Sequence, residues 1–332
     1  LLIGIALVAI AIVAVLVMRG RASDPTRILE RADKFFSEEQ YDSARLEYIN
    51  LLKTGRADVD TRAHALQQIG YGYLEQGMTV QGIQYLESAR IEVQDNPLAT
   101  VKLASALVSI GDYQPSRVWR LAWEALNRLP NNEEAMLLLA KTIKDNGLEQ
   151  AREAALKVLE DSPDEGSPDE ESQEVKDAKA LLENTISNEE RWAETERRLE
   201  AFDREKQAVY HLAKVMMDNL RNGAWAESAQ ASLDRALELE PESAPVHLAR
   251  ASLFQVKGDQ ENELKALAKA SEFSPARSEA RTSYAAALAR SGDTDAATAL
   301  LEELTSEAPD YVPAWSTLAR VEVQLKQYDK AL

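Results

Sequence analysis

The chain has 332 residues, room for more than one domain, and its 45% hydrophobic and 28% charged content is ordinary for a folded protein. A net charge of -18 argues against a phosphate-binding role and against a nucleic-acid partner, since that affinity comes largely from lysine and arginine. With no cysteine, disulfides, cysteine-ligated zinc, iron–sulfur clusters, thiol catalysis and an acylated lipoprotein anchor are excluded, and an oxidising compartment is suited.

Residues 1–18 form one uncharged apolar run, LLIGIALVAIAIVAVLVM. As a helix at 1.5 Å per residue it would reach roughly 27 Å, close to the hydrocarbon thickness of a bilayer. A cleavable signal peptide is the rival reading, but its apolar core is usually shorter, and Arg19-Gly20-Arg21-Ala22-Ser23 is a poor cleavage site. We therefore expect a single-pass membrane protein anchored by this helix. Arg19 and Arg21 alone would hold the following residues in the cytoplasm by the positive-inside rule. The missing cysteines favour the other side, and a bacterial inner membrane with the repeats outside the cytoplasm is the expected location.

Asp24-Pro25 reads as an N-cap followed by proline at the first helical position. Leu29, Ala32, Phe35 and Phe36 then form one apolar helical face, and Tyr41, Ala44, Tyr48, Leu51 and Leu52 the next. A second unit carries Gly70, Tyr73, Gly77 and Ala89, and a third carries Ala104, Leu107, Gly111-Asp112-Tyr113 and Trp123. A shorter fourth, 133–160, carries Ala140 and Gly147.

The pattern breaks at 161–172, where Ser-Pro-Asp-Glu occurs twice, at 162–165 and 167–170. Serine as N-cap, proline at N1 and glutamate at N3 make this a helix start, with proline-directed phosphorylation as the alternative. A helix over about 168–186 would follow. From Glu160 to Glu205 there are 17 acidic and 6 basic residues, so -11 of the net charge lies here. The spacing of Trp192, Thr195, Leu199, Phe202, Lys206, Val209, Ala213, Met216 and Leu220 predicts a long helix over about 189–220 with a broken heptad seam. We read it as packed on its own repeat and on the insert, with a dimerising coiled coil as the alternative.

From about Tyr210 a 34-residue ladder is plain. Pro241, Pro275 and Pro309 keep this period, as do Ala251, Ala285 and Ala319, and the pairs Gly258-Asp259 and Gly292-Asp293. A last unit opens with Trp315, Leu318 and Ala319 and stops after Tyr328, Asp329 and Ala331. The first units share the period in Gly70/Ala104 and Gly77/Gly111 but not the closing prolines. Small residues let paired helices approach, glycine turns one helix into the next, and proline ends the second. No unit of this kind can bury its apolar face alone, so neighbours must stack.

A 34-residue unit with these positions resembles the tetratricopeptide repeat, over most of the chain from Asp24 onward. The resemblance implies an all-α solenoid of helix-turn-helix units. The expected organisation is a transmembrane anchor at 1–18, a first array at 24–160, an acidic helical insert with a linking helix at 161–208, and a second array at 209–332. Glu263 and Glu322 depart from the pattern, standing where sister units place alanine and a large apolar residue. The resemblance also implies a concave groove lined by the first helix of each unit. In this register the groove residues are Gln67, Tyr71, Leu74, Val101, Ser105 and Val108, then Leu248, Ser252, Gln255, Thr282, Ala286, Arg290, Ser316 and Arg320. Some relatives clamp a terminal carboxylate with lysine and asparagine. Gln67, Tyr71, Val101 and Ser105 stand at those positions here, so an extended peptide or a partner helix suits the groove better.

Nothing in the sequence points to catalysis, a metal or a cofactor. His64, His211 and His247 have no ligand spacing, and Asp293-Thr294-Asp295 lacks the glycine and glutamate of a calcium loop. The expected function is a membrane-anchored scaffold for protein partners in envelope assembly, export or quality control of membrane complexes. The alternatives are a regulatory or substrate-presenting arm of an enzyme whose catalytic domain lies beyond Leu332, and self-assembly through the 192–220 seam.

Overall fold

A computed structural model describes residues 24–93, 96–110, 113–161, 172–222 and 229–324, and every element among them is an α-helix. Three helix pairs come first: α1 (Pro25–Ser37) with α2 (Tyr41–Lys53), α3 (Val59–Glu75) with α4 (Thr79–Glu92), and α5 (Pro97–Ser109) with α6 (Pro115–Arg128). The middle holds α7 (Glu133–Lys141), α8 (Asn146–Asp161), α9 (Gln173–Asn184) and α10 (Asn188–Leu199). Then follow α11 (Ala208–Asn222) with α12 (Ala229–Leu239), α13 (Ala244–Lys257) with α14 (Gln260–Glu272), α15 (Glu279–Ser291) with α16 (Thr294–Glu307), and α17 (Val312–Gln324).

The expected location in a membrane is corrected. No helix among the described residues is long and apolar enough to cross one. The longest, α3, has 17 residues and carries Asp60, Arg62 and Glu75. The apolar run 1–18, on which the anchor and its sidedness rested, lies outside the described residues, as do the paired Ser-Pro-Asp-Glu motifs and residues 325–332.

The ladder residues do the local work their chemistry predicts. Gly258 and Gly292 end α13 and α15 with φ of 70° and 94°, the left-handed region that costs glycine nothing. The aspartate after each caps the next helix: Asp259 accepts from the Asn262 amide at 3.2 Å, and Asp293 from the Ala296 amide at 3.2 Å. Pro241, Pro275 and Pro309 all fall between helices, where no backbone donor is required. Asp24 caps α1 with Pro25 at its first turn, as expected.

The middle of the chain differs from its sequence reading in two ways. Residues 133–160 do not form a hairpin repeat: α7 packs on α6 and α11, whereas α8 packs on α9. The α8–α9 hairpin therefore stands beside the main stack, and of α8 only Ala155 is buried. The single helix expected over 189–220 is two helices, α10 and α11, separated by residues 200–207. Asp203 initiates a turn there, accepting from the Glu205 amide at 2.9 Å. The heptad seam is not an interface for a second copy, because Trp192, Leu199, Phe202, Val209 and Ala213 are buried in the chain's own core.

That core runs from Leu86 to Met217 without a break. Helix α10 lies against α6, where Trp119 donates to the Thr195 hydroxyl at 3.1 Å and Trp123 to Glu194 at 2.9 Å. Glu194 also accepts from Arg197 and Arg198, and these bonds hold its carboxyl down at about 2. Arg191, only 1% exposed, donates to the carbonyls of Ile143 (2.8 Å) and Ile186 (3.0 Å) and to Asn188 Oδ1 (2.5 Å). One buried guanidinium thus ties the end of α7 to the start of α10.

Of the three histidines, His247 is buried, stacks on Phe273 and is bonded to the Pro241 carbonyl at 2.9 Å. Burial holds its pKa below the usual 6.5. The unfolded chain then takes up the proton first as pH falls, so stability is lost from about pH 6.5 down to the folded pKa. His247→Gln should flatten that part of the urea-midpoint profile, and an unchanged slope would show that other groups carry it.

Candidate functional site

Two ends of the chain that are far apart in sequence meet in space. Arg277, in the turn before α15, donates to Glu39 at 2.5 Å and to Asp310 at 2.9 Å, and its guanidinium lies 5.0 Å from the centre of the Tyr41 ring. Gln76, at 1% exposure, donates to Asp42 at 3.1 Å and to Asp310 at 3.2 Å, and accepts from Arg45 at 2.9 Å. The Gln76 carbonyl also accepts from the Val312 amide at 3.0 Å. These contacts clasp the first two helix pairs to α15 and α17.

The clasp explains two backbone choices. Gly77 has φ of 73°, and a Cβ there would overlap the Pro313 ring, with Cγ at 2.7 Å. Glu39 is left-handed at φ 58°, the only non-glycine with positive φ among the described residues, at the turn where other pairs place glycine. The carboxylate that Arg277 binds is therefore held on a backbone that disfavours it by about 1 kcal/mol. Glu39→Gly should relieve that strain while losing an exposed ion pair worth at most about 1 kcal/mol. Glu39→Ala loses the pair and keeps the strain, so it should unfold at lower urea than Glu39→Gly by about 1 kcal/mol. Equal stability of the two variants would contradict a strained turn.

Two cavities lie along these helices. One, of ≈600 Å³, lies between α11, α13 and α15 and gathers the expected groove residues Leu248, Ser252, Gln255, Ala286 and Arg290. Its walls also include Leu212, Val215, Met216 and Leu220 of α11. The other, of ≈570 Å³, lies at the clasp and gathers Tyr71, Leu74, Ser105 and Thr282 with Phe36, Glu75, Lys102, Arg277, Tyr311 and Pro313. Glu279 lines both, so the two are contiguous.

The remaining expected groove residues are placed differently. Val101 faces the core and is buried, and Val108 packs against the same core. Gln67 donates to the Tyr71 hydroxyl at 2.8 Å and accepts from Asn96 at 2.5 Å, which braces the tyrosine. Ser316 and Arg320 are exposed on α17 and line neither cavity. Arg290 reaches Glu263 at 2.8 Å, so the acidic departure from the repeat pattern is a buried carboxylate with its own counter-ion.

The electrostatics of the clasp cavity are uneven. Arg277 is engaged by Glu39 and Asp310, and Lys102 by Glu134 at 3.0 Å. Its pKa stays above normal because those bonds outweigh the opposing effect of burial on Arg277. Glu75 is reached by water in the cavity yet walled in by protein, and this burial raises its carboxyl, with Lys102 and Arg277 offsetting only part of the effect. Tyr311 is pushed up to about 12 by burial and then by the charges of Glu279 and Glu75. Sequence reasoning missed Glu75, Arg277, Tyr311 and the α11 wall, because each joins the site through contacts between distant units.

Residues 288–332 match the family model for the tetratricopeptide repeat. No curated protein shows significant similarity to the chain. Among solved structures, a thermophilic TPR protein of Thermus thermophilus aligns at 15% identity and TM-score 0.39, over 79% of this chain and 99% of that one. A tetratricopeptide repeat protein from Parabacteroides merdae aligns at 17% identity and TM-score 0.37, over 76% and 93% of the two chains. YrrB, a TPR protein with an unusual peptide-binding site, aligns at 14% identity and TM-score 0.37, over 79% and 92%. Residues 288–332 thus carry a tetratricopeptide repeat, and the stacked helix pairs before them repeat its Gly-Asp turn at the same 34-residue period.

Proposed function

We propose that the chain is a scaffold without a catalytic role, binding an extended or helical segment of a protein partner along its inner surface. The observation that supports this best is the contiguity of the two cavities at Glu279. Together they make one trough, with the apolar side chains of Leu212, Met216 and Leu248 at one end and of Phe36, Tyr71 and Tyr311 at the other. Such a floor suits side chains presented at helical or strand spacing. A small molecule would leave most of the trough open to water.

The test is a photo-crosslinker placed in the full chain at Ser252 or Ala286, inside the trough, and separately at Leu46 or Val80, exposed on α2 and α4. A partner crosslinked from the first two positions and not from the last two is the expected result. Equal yields from all four, or crosslinks only from Leu46 and Val80, would remove the trough as the binding surface.

A further inference from the structure

The clasp cavity has a chemical preference that the rest of the trough lacks. Both of its cations already hold carboxylates, Arg277 those of Glu39 and Asp310 and Lys102 that of Glu134, although Arg277 Nε itself is buried without a hydrogen-bond partner among the described residues. Its own carboxylates are not so held. The side chains of Glu75 and Glu279 make no hydrogen bond or ion pair with any described residue, although both line the same space. By contrast, Glu263 at the other end of the trough is closed off by Arg290. A second observation points the same way. Tyr311 is 7% exposed and lines the cavity, and no described residue hydrogen-bonds its hydroxyl.

We propose that the cavity between α3, α5, α15 and α17 captures a basic side chain, lysine or arginine, of the partner segment, with Glu75 and Glu279 as counter-charges and the rings of Tyr71 and Tyr311 as walls. The inference rests on the trough reading above and names what one part of the trough selects. A cation entering this space gains two carboxylates and aromatic faces. Burial raises both Glu75 and Tyr311, the charges of Glu279 and Glu75 raise Tyr311 further, and an incoming cation acts against each shift. An anionic ligand would face two carboxylates without ion pairs, beside cations that already hold carboxylates of their own. The overall charge of -18 does not make this choice, because it is spread over the whole surface.

The experiment uses the full chain with its 10 tyrosines isotopically labelled and titrated by NMR with acetyl-Gly-Arg-Gly-amide. The same tripeptide with citrulline, the neutral isostere of arginine, is the reference probe. The arginine peptide should move the Tyr71 and Tyr311 resonances saturably. Its Kd should rise by on the order of tenfold in the Glu75→Gln/Glu279→Gln variant, as it should for citrulline on the parent chain. Both carboxylates are exposed and unpaired, so removing them does not threaten the fold, and the urea midpoint of the variant verifies this. Glu153→Gln/Glu200→Gln, at exposed positions away from the cavity, makes the same change in net charge and should leave the Kd alone. Equal binding of the citrulline peptide, or equal weakening in the Glu153/Glu200 control, would overturn the proposal. If the crosslinks from Ser252 and Ala286 persist while the arginine peptide ignores Glu75 and Glu279, this proposal falls and the trough stands. If the peptide result holds and the crosslinks fail, the trough reading falls instead.

Discussion

Arg277→Met is expected to open the chain between its first and last helix pairs. The side chain is 13% exposed and reaches both Glu39 and Asp310. The Glu39 contact is largely solvent-exposed and contributes little. The Asp310 contact is mostly enclosed, and its loss leaves Asp310 with the Gln76 amide alone. Together with the lost stacking over Tyr41, a weakening of the clasp by about 1–2 kcal/mol is expected. Methionine keeps the apolar volume, so the change reports on charge and hydrogen bonding more than on packing. With no native cysteine, nitroxide labels can be placed cleanly on Ser37 and Ser316, exposed positions on α1 and α17. The parent chain should give one narrow distance distribution, and Arg277→Met a broader and longer one. Repeat stacks are held mainly by nearest-neighbour interfaces, so the urea midpoint should fall much less than the clasp weakens. An unchanged distribution would mean that the Gln76–Val312 backbone bond closes the chain without Arg277.

The clasp also marks where the sequence stops being legible. Several features set within one repeat could be read in advance: the turn glycines Gly258 and Gly292, the prolines between pairs, and the small residues Ala251 and Ala285 in the core. These are local requirements, and each residue type answers one of them. The groove register brings Leu248, Ser252 and Ala286 to one cavity, because a helix A face is fixed by its own period. It failed at Val101, where a helix packed on both sides buries a residue that the register turns inward. It failed again over 189–220, where a continuous 3–4 spacing hides a turn at 200–207. The apolar residues on either side of that turn face the same core, so the pattern survives although the helix does not. Glu39 carried a faint signal, a charged residue at a turn that elsewhere takes glycine, but its meaning depends on Arg277, 238 residues away. Solenoid curvature sums small rotations between units, and no single unit encodes where the ends meet.

Arg191→Met is expected to cost the most stability of any single change considered. Burial, with a smaller contribution from the charge of Arg152, pushes the Arg191 guanidinium down from its usual range, Asp145 and Glu149 act against that shift, and even so it stays a cation. Three of its nitrogens donate, two of them to the backbone carbonyls that end α7 and precede α10. Methionine fills much of the volume but donates nothing, leaving the Ile143 and Ile186 carbonyls and the Asn188 oxygen without this partner. At about 1 kcal/mol or more for each enclosed acceptor, the loss comes to about 3 kcal/mol. Part of it is offset because a desolvated charge is removed as well. Arg191→Lys keeps the charge yet cannot span acceptors on both sides of the side chain, so it should recover less than half of the loss. The consequence reaches beyond α10. Trp192, on the next residue, packs in the core that runs to Met217, and Arg221 of α11 lies 4.3 Å from its ring centre. Loosening α10 should therefore release α11, the helix that supplies Leu212, Val215 and Met216 to the trough. Hydrogen exchange would show this as faster exchange over 188–222 in Arg191→Met, with 41–53 unaffected. A urea midpoint within about 0.5 kcal/mol of the parent would show that the guanidinium is dispensable and that core packing alone joins the two halves of the stack.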